Sequence, residues 1–115
     1  MEKFKKYGIY SLQKQQHSYY IILKSYQLNT HLIYLLTHVS VINNQKIQEI
    51  LDIRLLNDTI KIPMFMEIHD RDIQTTIDGY LGTVSNRIGD ELLNFYETKV
   101  KNNLKLRRRK LWKQN

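Results

Sequence analysis

Thr59-Ile60-Lys61-Ile62-Pro63-Met64-Phe65-Met66-Glu67-Ile68 alternates almost without fault. Ile60, Ile62, Met64, Met66 and Ile68 fall on one side, and Thr59, Lys61, Pro63, Phe65 and Glu67 on the other. A period of two over such a run predicts a half-buried strand. Pro63 cannot donate to a ladder, so the strand is expected at a sheet edge or with a bulge at that point. Upstream, Ile47, Leu51, Ile53 and Leu55 also share a face in an extended reading, with Glu49 as the misfit.

Turn chemistry punctuates the same region. Asn43-Asn44 precedes the Ile47 run, Asn57-Asp58 follows it, and His69-Asp70-Arg71-Asp72 closes the next strand. Asp78-Gly79 stands between Ile73–Ile77 and Tyr80–Val84, a strong short-range hairpin signal. Strands at this spacing predict a small barrel or sandwich.

Moving toward the N-terminus, Tyr7–Leu12 and Ser18–Leu28 flank a polar turn at Gln13–His17 and read as a hairpin. Tyr20, Ile22, Tyr26 and Leu28 would line one face of its second strand. Leu32, Leu35, Leu36 and Val39 have helical spacing after a possible cap at Asn29-Thr30, which favours two helical turns over 30–37. A strand fits the same residues, because short apolar runs do not discriminate. Toward the C-terminus the period becomes unambiguous. Ile88, Leu92, Phe95, Tyr96 and Val100 form a helical stripe, with Ser85 or Asn86 as the N-cap. Asp90 and Glu91 near its start and Lys99 and Lys101 near its end complement the helix dipole.

The 115 residues suit one domain, placed at 1–104, with a basic tail at 105–115. No cysteine is present, which excludes disulfides, zinc ribbons and thiol chemistry. No apolar run approaches the length of a membrane span, and Met1–Lys6 is not followed by a signal-peptide core. A cytoplasmic location is the expectation. Net charge is +7, unevenly spread. Residues 1–24 carry five Lys and one acid, 25–98 five basic and ten acidic residues, and 99–115 eight basic and none acidic. The body is acidic and the ends are basic.

That distribution points to a polyanion partner. Lys105, Arg107, Arg108, Arg109, Lys110 and Lys113 would neutralise phosphates, and Trp112 could stack on an unpaired base. The same pattern also suits a solvated tail or an anionic lipid surface, since Leu104, Leu106 and Leu111 interleave with the cations. Tyr7, Tyr10, Tyr19, Tyr20, Tyr26 and Tyr34 crowd the first third beside Lys3, Lys5, Lys6, Lys14 and Lys24. Aromatics among cations on a sheet are one way to hold bases, and Lys5 and Lys6 would then extend the phosphate contacts. The competing explanation is that tyrosine simply suits a half-buried sheet.

Catalytic patterns are lacking. His69-Asp70-Arg71-Asp72 has no second ligand group at metal spacing, and His17, His31 and His38 form no recognised set. Gly79-Tyr80-Leu81-Gly82 is not a dinucleotide fingerprint. No cofactor and no metal are expected.

The strand–turn series from Val39 to Val84, including Asp78-Gly79-Tyr80-Leu81-Gly82-Thr83-Val84, is followed by a helix over Arg87–Val100. This plan resembles the small PUA-like RNA-binding regulators encoded on Gram-positive conjugative plasmids. The resemblance covers about half the chain, is one of plan and size, and transfers no functional residue. It implies an antiparallel pseudo-barrel and RNA binding. Together these readings predict an α+β fold, a small antiparallel barrel or strongly bent sheet with a C-terminal helix. The expected function is non-catalytic, regulatory binding of RNA or single-stranded nucleic acid. The alternatives are a small ribonuclease of toxin type and a protein-interaction or inhibitor module. A neighbouring copy of the chain is a possible further partner.

Overall fold

A computed structural model describes residues 4–40 and 43–101. The basic tail, with Lys105, Arg107, Arg108, Arg109, Lys110, Trp112 and Lys113, lies outside the described residues, as does Lys3. Strands β1 (Gly8–Leu12), β2 (Tyr19–Ser25) and β3 (Thr30–Leu36) form an antiparallel meander. Helix α1 (Asn44–Leu56) follows, then β4 (Phe65–His69), α2 (Asp70–Thr76), β5 (Ile77–Thr83) and α3 (Asn86–Phe95). A π-helical stretch, Tyr96–Val100, prolongs α3. The five strands make one open antiparallel sheet in the order β4-β3-β2-β1-β5. The α+β class with an antiparallel sheet is as expected, but the sheet is open, with β4 and β5 at its edges, and does not close into a barrel.

The sheet is covered on both sides, which explains its near-continuous apolar strands. Ile9, Ile21, Leu23, Leu32, Tyr34 and Leu36 share a core with Ile47 and Leu51 of α1 and Ile88, Leu92, Tyr96 and Val100 of the last helix. Tyr10, Leu12, Tyr20, Ile22 and Ile33 share a second core with Phe4 and Ile73 of α2. The predicted hairpin is therefore present as β1–β2. Its second strand ends earlier than expected, and Leu28 is exposed in a left-handed turn at φ 67.

Residues 30–37 are a strand, not a helix. Pairing with β2 runs from Tyr19↔Leu36 to Ser25↔His31, so distant partners decide what the local spacing left ambiguous. Conversely, the run around Ile47 is a helix. Ile47 and Leu51 are its buried residues, four apart, and the misfit Glu49 points away from them. Asn43, read as a turn residue, is its N-cap and accepts from the Lys46 amide at 2.8 Å.

Only the second half of Thr59–Ile68 is extended. Ile62–Met64 form a 3-10 turn with Pro63 in its first positions, where a missing amide costs nothing. The strand β4 is an edge, as Pro63 suggested, but its one buried residue is Phe65, from the other set of the alternation. Phe65 packs against Tyr34 at 5.2 Å and stacks on Phe95 at 5.7 Å between centroids.

His69-Asp70-Arg71-Asp72 begins α2 rather than closing a loop: the His69 ring accepts from the Arg71 amide at 3.2 Å. Ile73–Ile77 is accordingly mostly helix, and Asp78-Gly79 lies inside β5. The β5 strand pairs with β1, with register shifts between Gly8 and Tyr10 and between Ser11 and Leu12. The Gly79 amide donates to Ser11 Oγ at 3.1 Å within that irregular stretch. The C-terminal helix is as expected, capped by Ser85 Oγ accepting from the Ile88 amide at 3.2 Å.

Candidate nucleic-acid interface

Burial sorts the aromatic side chains sharply. Tyr7, Tyr10, Tyr19, Tyr20 and Tyr34 are all core residues, and Tyr26 is half-buried. The tyrosine-rich first third is thus mostly sheet interior, as expected if tyrosine there simply suits a sheet. The one strongly exposed tyrosine is Tyr80 on β5, at 49%.

Tyr80 stands at the outer end of a row across the sheet. Tyr80 pairs with Tyr10, Tyr10 with Tyr20, and Tyr20 with Leu35, so all four project to the α2 side. The Tyr10 and Tyr80 rings lie 5.3 Å apart at 43°. Helix α2 covers the inner part of the row: Tyr20 is packed with Ile73, and burial and nearby Asp72 both raise its pKa. Gly8 is what lets the outer rings lean over β1. A Cβ there would meet the Lys5 carbonyl at 2.9 Å, the Tyr10 ring at 2.9 Å and the Tyr80 ring at 3.3 Å.

Those distances also set Lys5 beside the aromatic pair. Its main-chain amide donates to the Tyr10 hydroxyl at 3.0 Å, and its side chain is exposed. Lys6, also exposed, turns the other way and places Nζ 4.9 Å from the centroid of the Tyr7 ring. Tyr7 donates a short hydrogen bond to Asp90, and burial, then this bond, push its pKa up to about 12.

The rest of α3 carries compensated charge. Lys24 Nζ lies 3.7 Å from Glu97, and Lys101 Nζ lies 3.5 Å from the other Glu97 oxygen. Tyr96 donates to Glu67 at 3.2 Å. Lys99 and Lys101 are exposed where the described chain ends. Tyr7 rests on Gly89 near the start of α3, and twelve residues of helix separate Gly89 from Lys101. At 1.5 Å per residue that is roughly 18 Å. Lys6, beside Tyr7, therefore stands at the opposite end of the last helix from Lys99 and Lys101, whereas Lys24 meets Lys101 through Glu97. Lys5 lies on the other side of the sheet, beside Tyr10 and Tyr80.

A second polar constellation lies under α2. His31 Nδ1 is 2.8 Å from Ser25 Oγ, and His31 Nε2 makes a short contact with Asp70, the first residue of α2. His31 is 5% and Asp70 8% exposed, and the edge of Phe4 packs against the imidazole at 5.2 Å. In the tautomer that donates from Nε2 to Asp70, Nδ1 accepts from Ser25 Oγ–H. This chain ties α2 to the end of the β2–β3 hairpin. His17, His38 and His69, by contrast, are exposed, and among the described residues no group of three metal-ligating side chains converges. An open groove of about 650 Å³ separates α1 from the start of α3. Arg87 fills its rim by bridging Asp52 at 3.0 Å and Glu91 at 3.4 Å.

Set beside models of known families, curated proteins and solved structures, the chain matches none. No helix among the described residues is long and apolar enough to cross a membrane. Tyr80 is the residue that sequence reasoning missed. Its neighbours Asp78-Gly79 suggested a hairpin, which would have paired it with Ile73–Ile77 instead of with Tyr10.

Proposed function

We propose that the protein is a non-catalytic, cytoplasmic regulator that binds RNA or another single-stranded nucleic acid. One observation carries this reading: residues 99–115 hold eight cations and no acid, while the rest of the chain nets −1. So steep a charge step is an electrostatic grip for a polyanion. Lys105, Arg107, Arg108, Arg109, Lys110 and Lys113 make the phosphate contacts, Trp112 adds stacking, and Lys6 near the start of α3 and Lys5 on the α2 side of the sheet add separate contacts.

The test is a salt titration of RNA binding by the intact chain and by a chain ending at residue 104. Neutralising five or six phosphates gives a log–log slope of about −4 on single strands, and the truncated chain loses most of that slope. A flat salt response, or unchanged RNA retention after truncation, refutes the assignment. Cleavage of mixed RNA by the pure protein would replace it with the ribonuclease reading. An interaction module is the second reading. It rests on α1, where Ile53 at 57% and Leu56 at 79% exposure lie one turn apart.

A further inference from the structure

We infer that Tyr80 and Lys5 form a stacking site for one unpaired nucleobase and its phosphate, on the sheet face shared with α2. The inference rests on the nucleic-acid reading and adds to it a site in the folded body, independent of the tail. Three features converge there. Tyr80 is the exposed end of an aromatic row whose inner rings, Tyr10 and Tyr20, are held in the core. The Tyr10 ring at 5.3 Å backs Tyr80, so its orientation is set by packing and little rotamer freedom is lost on binding. The Lys5 main chain is held at the same spot by its amide hydrogen bond to the Tyr10 hydroxyl, and Lys5 is exposed there.

The absence of a side chain at Gly8 matters for the same reason. The Lys5 carbonyl and both rings converge on the space where a Cβ would project, so cation-bearing backbone and aromatic ring are packed as one unit. An exposed ring packed against a second ring, with an exposed lysine close by in the chain fold, has the chemistry that holds a base by stacking and its phosphate by charge. Stacking tolerates any base, because each has a π-face, so the site selects unpaired from paired nucleotides rather than one sequence from another. It would give the folded body the preference for single strands that a cationic tail alone cannot supply.

The experiment compares two labelled probes of equal length at fixed salt, an oligouridylate and an abasic sugar–phosphate oligomer, binding to the full chain. The wild-type protein binds the base-bearing probe about fivefold to a hundredfold more tightly, the range expected for one stacked base. Tyr80→Phe keeps that ratio. Tyr80→Ala brings the ratio down while leaving the abasic affinity where it was, because the phosphate contacts are untouched. Lys5→Gln weakens both probes alike. Trp112→Ala is made in parallel, so that stacking by the tail is subtracted from the wild-type ratio. Equal binding of both probes by the wild type, or an unchanged ratio in Tyr80→Ala, overturns the stacking site and leaves the phosphate grip standing. Failure of the wild type to bind either probe overturns both.

Discussion

The two faces of the sheet are covered very differently. One face lies under α1 and the long last helix, and its core runs through eighteen buried side chains, all apolar or tyrosine. The other lies under the seven-residue α2 and the plug of Phe4, with seven buried residues in its core and a buried His31–Asp70 pair beside them. A short helix cannot shield a five-stranded sheet, so the outer row ends in an exposed ring. The thickly covered face stabilises the fold, and the thinly covered one is where a ligand can reach the sheet.

Substitutions can break that contrast. The largest effect is expected in the thick core: Leu92, fully buried, costs about 2–5 kcal/mol when truncated to Ala, read from chemical denaturation. On the thin face, His31→Ala removes Asp70's imidazole partner and lowers stability by about 1–3 kcal/mol. A loss equal to that of Leu92→Ala would mean that the two faces contribute alike.

Alkaline titration sharpens the comparison further. Burial, then Asp90, raise Tyr7 from 10.0 to about 12, and burial with Glu67 raises Tyr96 to about 12. In both cases the folded state favours the neutral phenol. The stability they contribute is therefore complete below about pH 10 and is lost as pH rises toward 12. Tyr7→Phe and Tyr96→Phe should each flatten that decline. Smallest of all is the structural effect of Tyr80→Ala, about 0.2–1 kcal/mol for a cross-strand pair at the sheet edge. Its consequence should appear in base-dependent binding instead.

Elements with local logic were legible in the residues themselves. The β1–β2 hairpin and the α3 stripe with its Ser85 cap depend on neighbours a few positions away, and both are present, although β2 stops at Ser25. The elements that were misread depend on distant partners. The β3 strand is extended because β2 offers a complete ladder, and Tyr80–Thr83, extended as expected, pairs with β1 while Ile73–Thr76 turns into α2. Two-sided burial also erased the alternation that would have marked β3 as a strand. For α1 the trace was present: Glu49 fitted no extended face, and Ile47 and Leu51 are one helical turn apart. The candidate site was half legible. Charge placed the cations, but whether a tyrosine faces water or core depends on which face α2 and α3 cover.

The anchoring of Tyr7 bears on the order of synthesis. Its amide donates to the Ile22 carbonyl at 2.6 Å, its carbonyl accepts from the Val84 amide at 2.9 Å, and its ring fills the notch above Gly89. The start of the sheet is thus clasped by residues made more than seventy positions later. A nascent chain that has reached residue 76 still has a bare β1 edge and an uncovered main core. At 5–20 residues per second, the residues up to Val100 need roughly one to five seconds more. For that interval the hairpin and α1 must wait with their apolar faces unburied, a window in which a chaperone, or a second nascent chain, has its best access.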